Sequence, residues 1–185
     1  MNRLIAKILT ILTVSLLGCA MTGEYEYAQN IKKLEVSFAD SIWTGVRIPK
    51  EHRCRREGGD GSTPGLIVKN IPPEANAIIM EYTIGATYMR KHFYGYFGII
   101  GFEIQQGASE VTIPSILAGT LLLPDRFFLV STPHPAMSRP GAYFPPCGGL
   151  DGYNYLVKVS AVHRPDLKDQ KSKVFGKGEL NLGSD

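Results

Sequence analysis

The chain has 185 residues, 44% of them hydrophobic and 20% charged, the balance of an ordinary globular protein. It can bury a real core, which excludes a chain too polar to collapse. The net charge of +3 falls to +1 without Arg3 and Lys7, so no global field selects nucleic acid as a partner.

Arg3 and Lys7 flank the start of an apolar run, ILTILTVSLL, Ile8 to Leu17, and together they read as an export signal. The run is shorter than the about 20 residues of a spanning helix. It leads into LLGC, Leu16 to Cys19, which resembles the bacterial lipobox. The resemblance implies cleavage before Cys19, diacylglycerol on its sulfur and an acyl chain on the new amino terminus. The alternative is an ordinary signal peptide with Cys19 incidental. Buried acyl chains contribute about 0.8 kcal/mol per methylene, and two or more give stable anchoring. Ala20 after the cysteine leans toward the outer membrane, so the expected location is the bacterial cell envelope, lipid-anchored and facing the periplasm. Residues 1–18 are then a signal peptide, 19–33 a lipidated tether and 34–185 a single domain. The segment from Ala20 to Lys33 is polar and without period; stretched at about 3.3–3.6 Å per residue, it would hold the domain some 45–50 Å off the bilayer.

From Leu34 onward the signals are those of strands. Leu34, Val36 and Phe38 alternate with Glu35 and Ser37. GLIVKNI is bounded by Gly65 and the Pro72-Pro73 break, and Ala77 to Ile84, AIIMEYTI, is β-rich. His92 to Ile104 is aromatic and β-branched but broken by Gly95, Gly98 and Gly101, which suggests a bulge or a close backbone approach. TLLL and FFLV are further short candidates, and NYLVKVSAV puts Tyr155, Val157, Val159 and Ala161 on one face. Helix signals are few: one short turn over Ser115 to Thr120 and a polar surface helix over Asp166 to Phe175. Twelve prolines and twenty glycines make the connections tight turns and loops. The fold class that follows is mainly β, one antiparallel β-sandwich with short peripheral helices.

Of three cysteines, lipidation would consume Cys19. Cys54 and Cys147 remain as an even pair, and an oxidising compartment favours a disulfide between them. Two separate buried thiols are the alternative.

Three stretches in order carry a family resemblance. Tyr143, Pro146, Cys147, Tyr155, Val159 and Ala161 match a Y-x-G-P-C-P-P-x-G-x-H-R-Y-x-F-x-V-Y-A-L pattern. Pro64, Leu66, Asn70, Ile71, Pro72 and Ala75 match S-P-x-L-x-W-x-N-V-P-x-x-A. Between them, KHFYGYF is similar to a V-H-W strand, with His92 on its histidine and Phe93 on its tryptophan. Over about residues 54–162 the chain resembles the phosphatidylethanolamine-binding protein family, in its bacterial Raf-kinase-inhibitor-like branch.

That resemblance implies a pocket for phosphate or a phospholipid head group, built from a D-P-D-x-P loop, two histidines and the proline-rich corner. Here the set is eroded. Glu81 stands near the carboxylate that opens the loop, while Tyr82, Thr83 and Ile84 occupy the D-P-D positions. His92 matches the first histidine, Tyr153 and Asn154 replace the H-R pair, and Pro145 replaces the glycine before Pro-Cys. The ligand-binding set carried over is therefore Glu81, His92, Tyr143, Pro146 and Tyr153. A tyrosine in place of a chargeable imidazole forfeits a charge-assisted hydrogen bond, about 1.5–3 kcal/mol or tenfold or more in affinity. Arg139 and the basic run KEHRCRRE are the cations that would compensate.

Sharper chemistry finds no support. The four histidines, His52, His92, His134 and His163, lack metal-ligand spacing, no G-x-S-x-G elbow occurs, and GGDG lacks the lysine of a phosphate loop. The expected protein is non-enzymatic, with no cofactor or metal. It would bind a small anionic or lipid-derived ligand or inhibit a protein partner, with the membrane reached through lipid on Cys19. A structural or interaction lipoprotein with a closed pocket, acting through loops such as STPHPAMSRPG, is the second reading.

Overall fold

The computed structural model describes residues 25–84, 96–133, 141–147, 154–166 and 171–184. Among the described residues nine strands follow in chain order: β1 Glu26–Lys33, β2 Glu35–Phe38, β3 Leu66–Lys69, β4 Ala77–Ile84, β5 Tyr96–Glu103, β6 Glu110–Ile113, β7 Phe127–Ser131, β8 Tyr155–His163 and β9 Lys173–Gly183. Six form one sheet in the order β1-β9-β8-β4-β5-β7, and β2-β3-β6 form a second. Pairing is antiparallel throughout except between β1 and β9, which run parallel. Two short 3-10 turns, Lys50–His52 and Arg55–Glu57, are the peripheral helical pieces.

The alternation of β8 sets the layers. Tyr155, Val157, Val159 and Ala161 are buried on its inner face, with Ile78, Met80 and Tyr82 of β4 and Ile100 and Phe102 of β5 beside them. Leu66, Val68 and Ile113 of the small sheet close over that face. Burial of each such side chain stabilises the fold by roughly 1.5–3 kcal/mol. The opposite face carries a smaller cluster, Ala77, Ile79, Val162 and Val174, covered in part by Tyr25, Ile99 and Phe128. Odd and even residues of β4 thus serve different layers, as a period of two requires.

The tether, the C-terminal helix and the TLLL strand are corrected here. The tether expected over residues 19–33 is strand from Glu26 onward, paired to β9 from Glu26↔Lys173 to Lys33↔Lys177. β1 is an edge strand that buries little, so its residues carry no alternation to read. The polar helix over Asp166 to Phe175 does not form at its C-terminal end, where Lys173 opens β9. Leu34 packs where Cβ atoms on Gly176 and Gly178 would sit, so two inward positions of β9 bear no side chain and the strand reads as polar. Ser115 to Thr120 holds the single short turn expected of it, closed by Thr120 Oγ1 donating to the Leu117 carbonyl at 2.7 Å, whereas TLLL is bent chain rather than strand.

The layer assignment predicts a sharp contrast. Ile100→Ala, at a fully buried position, should cost about 2–5 kcal/mol in urea unfolding. Leu122→Ala, at a position 90% exposed, should stay within about 0.5 kcal/mol of the parent chain.

Candidate functional site

The corner before β8 is held by three connections. Cys147 is disulfide-bonded to Cys54 with their Cα atoms 5.1 Å apart. The Cys54 amide donates to the Pro146 carbonyl at 2.9 Å, and the Phe144 amide donates to the Phe97 carbonyl at 2.7 Å. The chain passes so close to β5 that a Cβ on Gly98 would collide with the Ala142 carbonyl oxygen, and Gly98 adopts φ 137°. Only glycine meets both demands at low cost. Pro145 and Ala118 pack against Gly61 in the same way.

Behind the corner lie tyrosines rather than carboxylates. Tyr143 and Tyr82 are both buried, with ring centroids 4.9 Å apart in an edge-on arrangement. Burial pushes the Tyr82 hydroxyl well above the ordinary tyrosine value, against a smaller pull downward from its hydrogen bond with Thr63. Burial likewise raises Tyr143, with Tyr82 and then Tyr155 adding to it. Both hydroxyls therefore stay protonated at neutral pH. Phe97 joins the wall, its centroid 6.2 Å from Phe144 and 5.4 Å from Tyr155.

Beside this wall is a cluster that sequence reasoning missed. Ser62 Oγ donates to Asp60 Oδ1 at 3.0 Å and lies 2.7 Å from His52 Nδ1. Its amide also donates to Asp60 Oδ1, at 2.9 Å. The order is wrong for nucleophilic catalysis, in which the carboxylate orients the histidine and the histidine takes the serine proton. Here the serine hydroxyl donates directly to the carboxylate, and His52 packs on Trp43 with centroids 4.9 Å apart. The Asp-Gly-Ser turn, with side chain bonded to backbone two residues on, was the available signal.

Glu81 is elsewhere. It lies on the outer face of β4, 3.8 Å from Lys158 Nζ, while its neighbour Tyr82 meets Tyr143 on the inner face. The structure thus does not bring Glu81 and Tyr143 together, and the cleft expected to contain both is corrected on that point. Glu81 instead lines a groove of about 590 Å³ with Tyr25, Tyr27, Lys158 and Lys177. The Tyr25 hydroxyl is raised by burial first, then by Glu81 and Tyr27. Cys19, His92, Arg139 and Tyr153 lie outside the described residues. Among the described residues no group of three or more His, Cys, Asp or Glu could hold a metal, and no helix is long and apolar enough to cross a membrane.

Comparison with known proteins identifies the fold. No family model matches the sequence, and no curated protein is significantly similar. Two solved structures share its architecture at 16% identity. One is a phosphatidylethanolamine-binding protein homologue of Chlamydia trachomatis, superposed with a TM-score of 0.50 over 81% of this chain and 95% of that one. The other is E. coli YbcL, described as a member of the mammalian phosphatidylethanolamine-binding protein family, at 0.51 over 80% and 96%. The fold implied by the three ordered motifs is the fold observed.

Two outcomes follow from the corner. Replacing Cys54 and Cys147 together by serine should lower stability by roughly 2–5 kcal/mol, read by urea unfolding, with the far-ultraviolet β spectrum retained. Below pH about 10 folded and unfolded chains both keep the protons of Tyr82 and Tyr143; above it the unfolded chain releases them first, so stability falls with rising pH by about 1.4 kcal/mol per unit per buried tyrosine. Tyr82→Phe should remove one such share of the slope, measured as unfolding midpoints across the alkaline range.

Proposed function

We propose that the protein is an exported, non-enzymatic binding protein on the phosphatidylethanolamine-binding-protein fold, held to the bacterial envelope membrane through lipid on Cys19. It takes a small anionic or lipid-derived ligand at the proline corner, or inhibits a protein partner there. The observation that carries this reading is the corner itself: residues 141–147 clamped to Cys54 and backed by Tyr82 and Tyr143. A preformed wall of this kind, mostly apolar with few polar groups, suits a ligand whose orientation is fixed by one or two contacts. His92 and Tyr153 supply those contacts, and Glu81 takes no part. Neutral tyrosines offer hydroxyl donors but no charge, so the affinity for phosphate is low and rests on His92. With their hydroxyls kept protonated by burial, Tyr82 and Tyr143 are poor general bases, which fits binding rather than catalysis.

A second reading, in which the protein acts on a partner through its surface, is favoured by one observation. Leu117, Leu121 and Leu122 are exposed, the last two by 73% and 90%, in the β6–β7 connection whose Thr120 carbonyl accepts from the Ala142 amide at the corner. Clustered exposed leucines of this kind mark contact surfaces.

A titration separates the two. Residues 20–185 titrated with phosphate and with phosphoethanolamine should show saturable shifts of the His92 imidazole, and His92→Ala should weaken binding by about tenfold or more. If millimolar ligand leaves His92 unmoved, the corner is closed to such anions and the function belongs to the leucine loop. Mass spectrometry of the chain from cells should find diacylglycerol on Cys19.

A further inference from the structure

The groove on the outer face of the large sheet is separate from the corner, and its position relative to the anchor is unusual. β1 begins at Glu26, so only the six residues from Ala20 to Tyr25 separate Cys19 from the sheet. At about 3.3–3.6 Å per residue, that span reaches roughly 20 Å at most. A domain so tethered cannot stand clear of the bilayer. The element nearest the anchor is β1, and the groove beside it is lined by Tyr25, Tyr27, Lys33, Lys158, Ser160 and Lys177.

The chemistry of this face suits a lipid interface. Tyr27 is 57% exposed and Ile31 39%, amphipathic and apolar groups of the kind that sit at head-group level. Lys177 lies over the Tyr27 ring at 4.5 Å, its Nζ donating to the tyrosine hydroxyl at 3.4 Å. Lys32 and Lys33 are exposed at the end of the same strand. Among the described residues none of these three lysines enters an ion pair, whereas Lys158 is paired with Glu81 and Lys69 with Glu110 on the small sheet. Among the described residues Lys33 and Lys177 are thus the lysines of this groove that enter no ion pair, in a lining that also holds the carboxylates Glu81 and Glu179.

We propose that the β1–β9 face is the membrane-apposed surface of the domain and that its groove receives the phosphate of an anionic phospholipid, held by Lys33 and Lys177. The proposal rests on the lipid-anchored reading for its geometry. Juxtamembrane lysines are attracted to anionic lipid within about a Debye length, so apposition depends on lipid charge and on salt.

Hydrogen exchange of the full chain on vesicles tests this. In vesicles containing phosphatidylglycerol, exchange across residues 26–33 should slow by about threefold or more relative to phosphatidylcholine alone, while residues 110–113 of the small sheet stay unchanged. The slowing should vanish at about 0.5 M salt and in the triple variant Lys32→Glu, Lys33→Glu, Lys177→Glu, whose substituted side chains are all exposed. Equal exchange in the two lipids, or equal protection of both sheets, would overturn the proposal. Mass spectrometry of Cys19 in the same preparation tells failure of the anchor from failure of the face. If Cys19 carries no lipid, the same comparison with protein added to vesicles still decides it: protection of residues 26–33 by anionic lipid upholds the face, and its absence rejects it.

Discussion

The position of the corner depends on one covalent constraint, the bond between Cys54 and Cys147, 93 residues apart. It joins the connection between β2 and β3 of the small sheet to the turn that feeds β8, and so encloses β3, β4, β5, β6 and β7 in a single closed segment. The adjacent hydrogen bond from the Cys54 amide to the Pro146 carbonyl sets the angle at which the two chains meet. With that junction fixed, the corner must cross β5, and it crosses where Gly98 leaves room. Tyr143 is then driven into the core against Tyr82. A sandwich of this size would fold without a cross-link, but the junction would then be two loops rather than a wall.

The sequence was most informative where a strand buries one face fully. β8 declares itself because Tyr155, Val157, Val159 and Ala161 all face the same core, and its neighbour β4 and, in the facing sheet, β3 share that clarity. β1 and β9 were illegible for different reasons. β1 contributes backbone pairing and almost no burial; β9 faces the core with Gly176 and Gly178, so its inward positions look empty. The candidate site was legible only as a set of positions. The resemblance located Glu81 near a carboxylate of the pocket, but a shift of one residue along a strand changes the face, and Tyr82 holds the inward place. Contacts between distant turns, such as His52 with Ser62, leave no periodic trace at all.

The two faces of β4 therefore divide the chemistry of the molecule. Inward, toward the corner, are uncharged hydroxyls in an apolar wall. Outward, beside β1, are lysines, tyrosines and a half-exposed glutamate around an open groove. The fold shared with the two solved structures is compatible with either face being used, because a fold constrains where side chains point and not which chemistry they carry.

The parallel pairing of β1 with β9 has a consequence for how the molecule is made. Antiparallel neighbours can zip together as the chain emerges, but among the described residues β1 is the first strand and its partner in the sheet, β9, is the last. Nearly the whole domain serves as the crossover between them, so this pairing has the longest loop to close and the highest contact order in the sheet. Until β9 is in place, Glu26–Lys33 has no ladder to join and the sheet lacks its final edge. Any premature stop that removes β9 would thus release the opposite end of the chain as well, and the quality of the C terminus is read out at the N terminus.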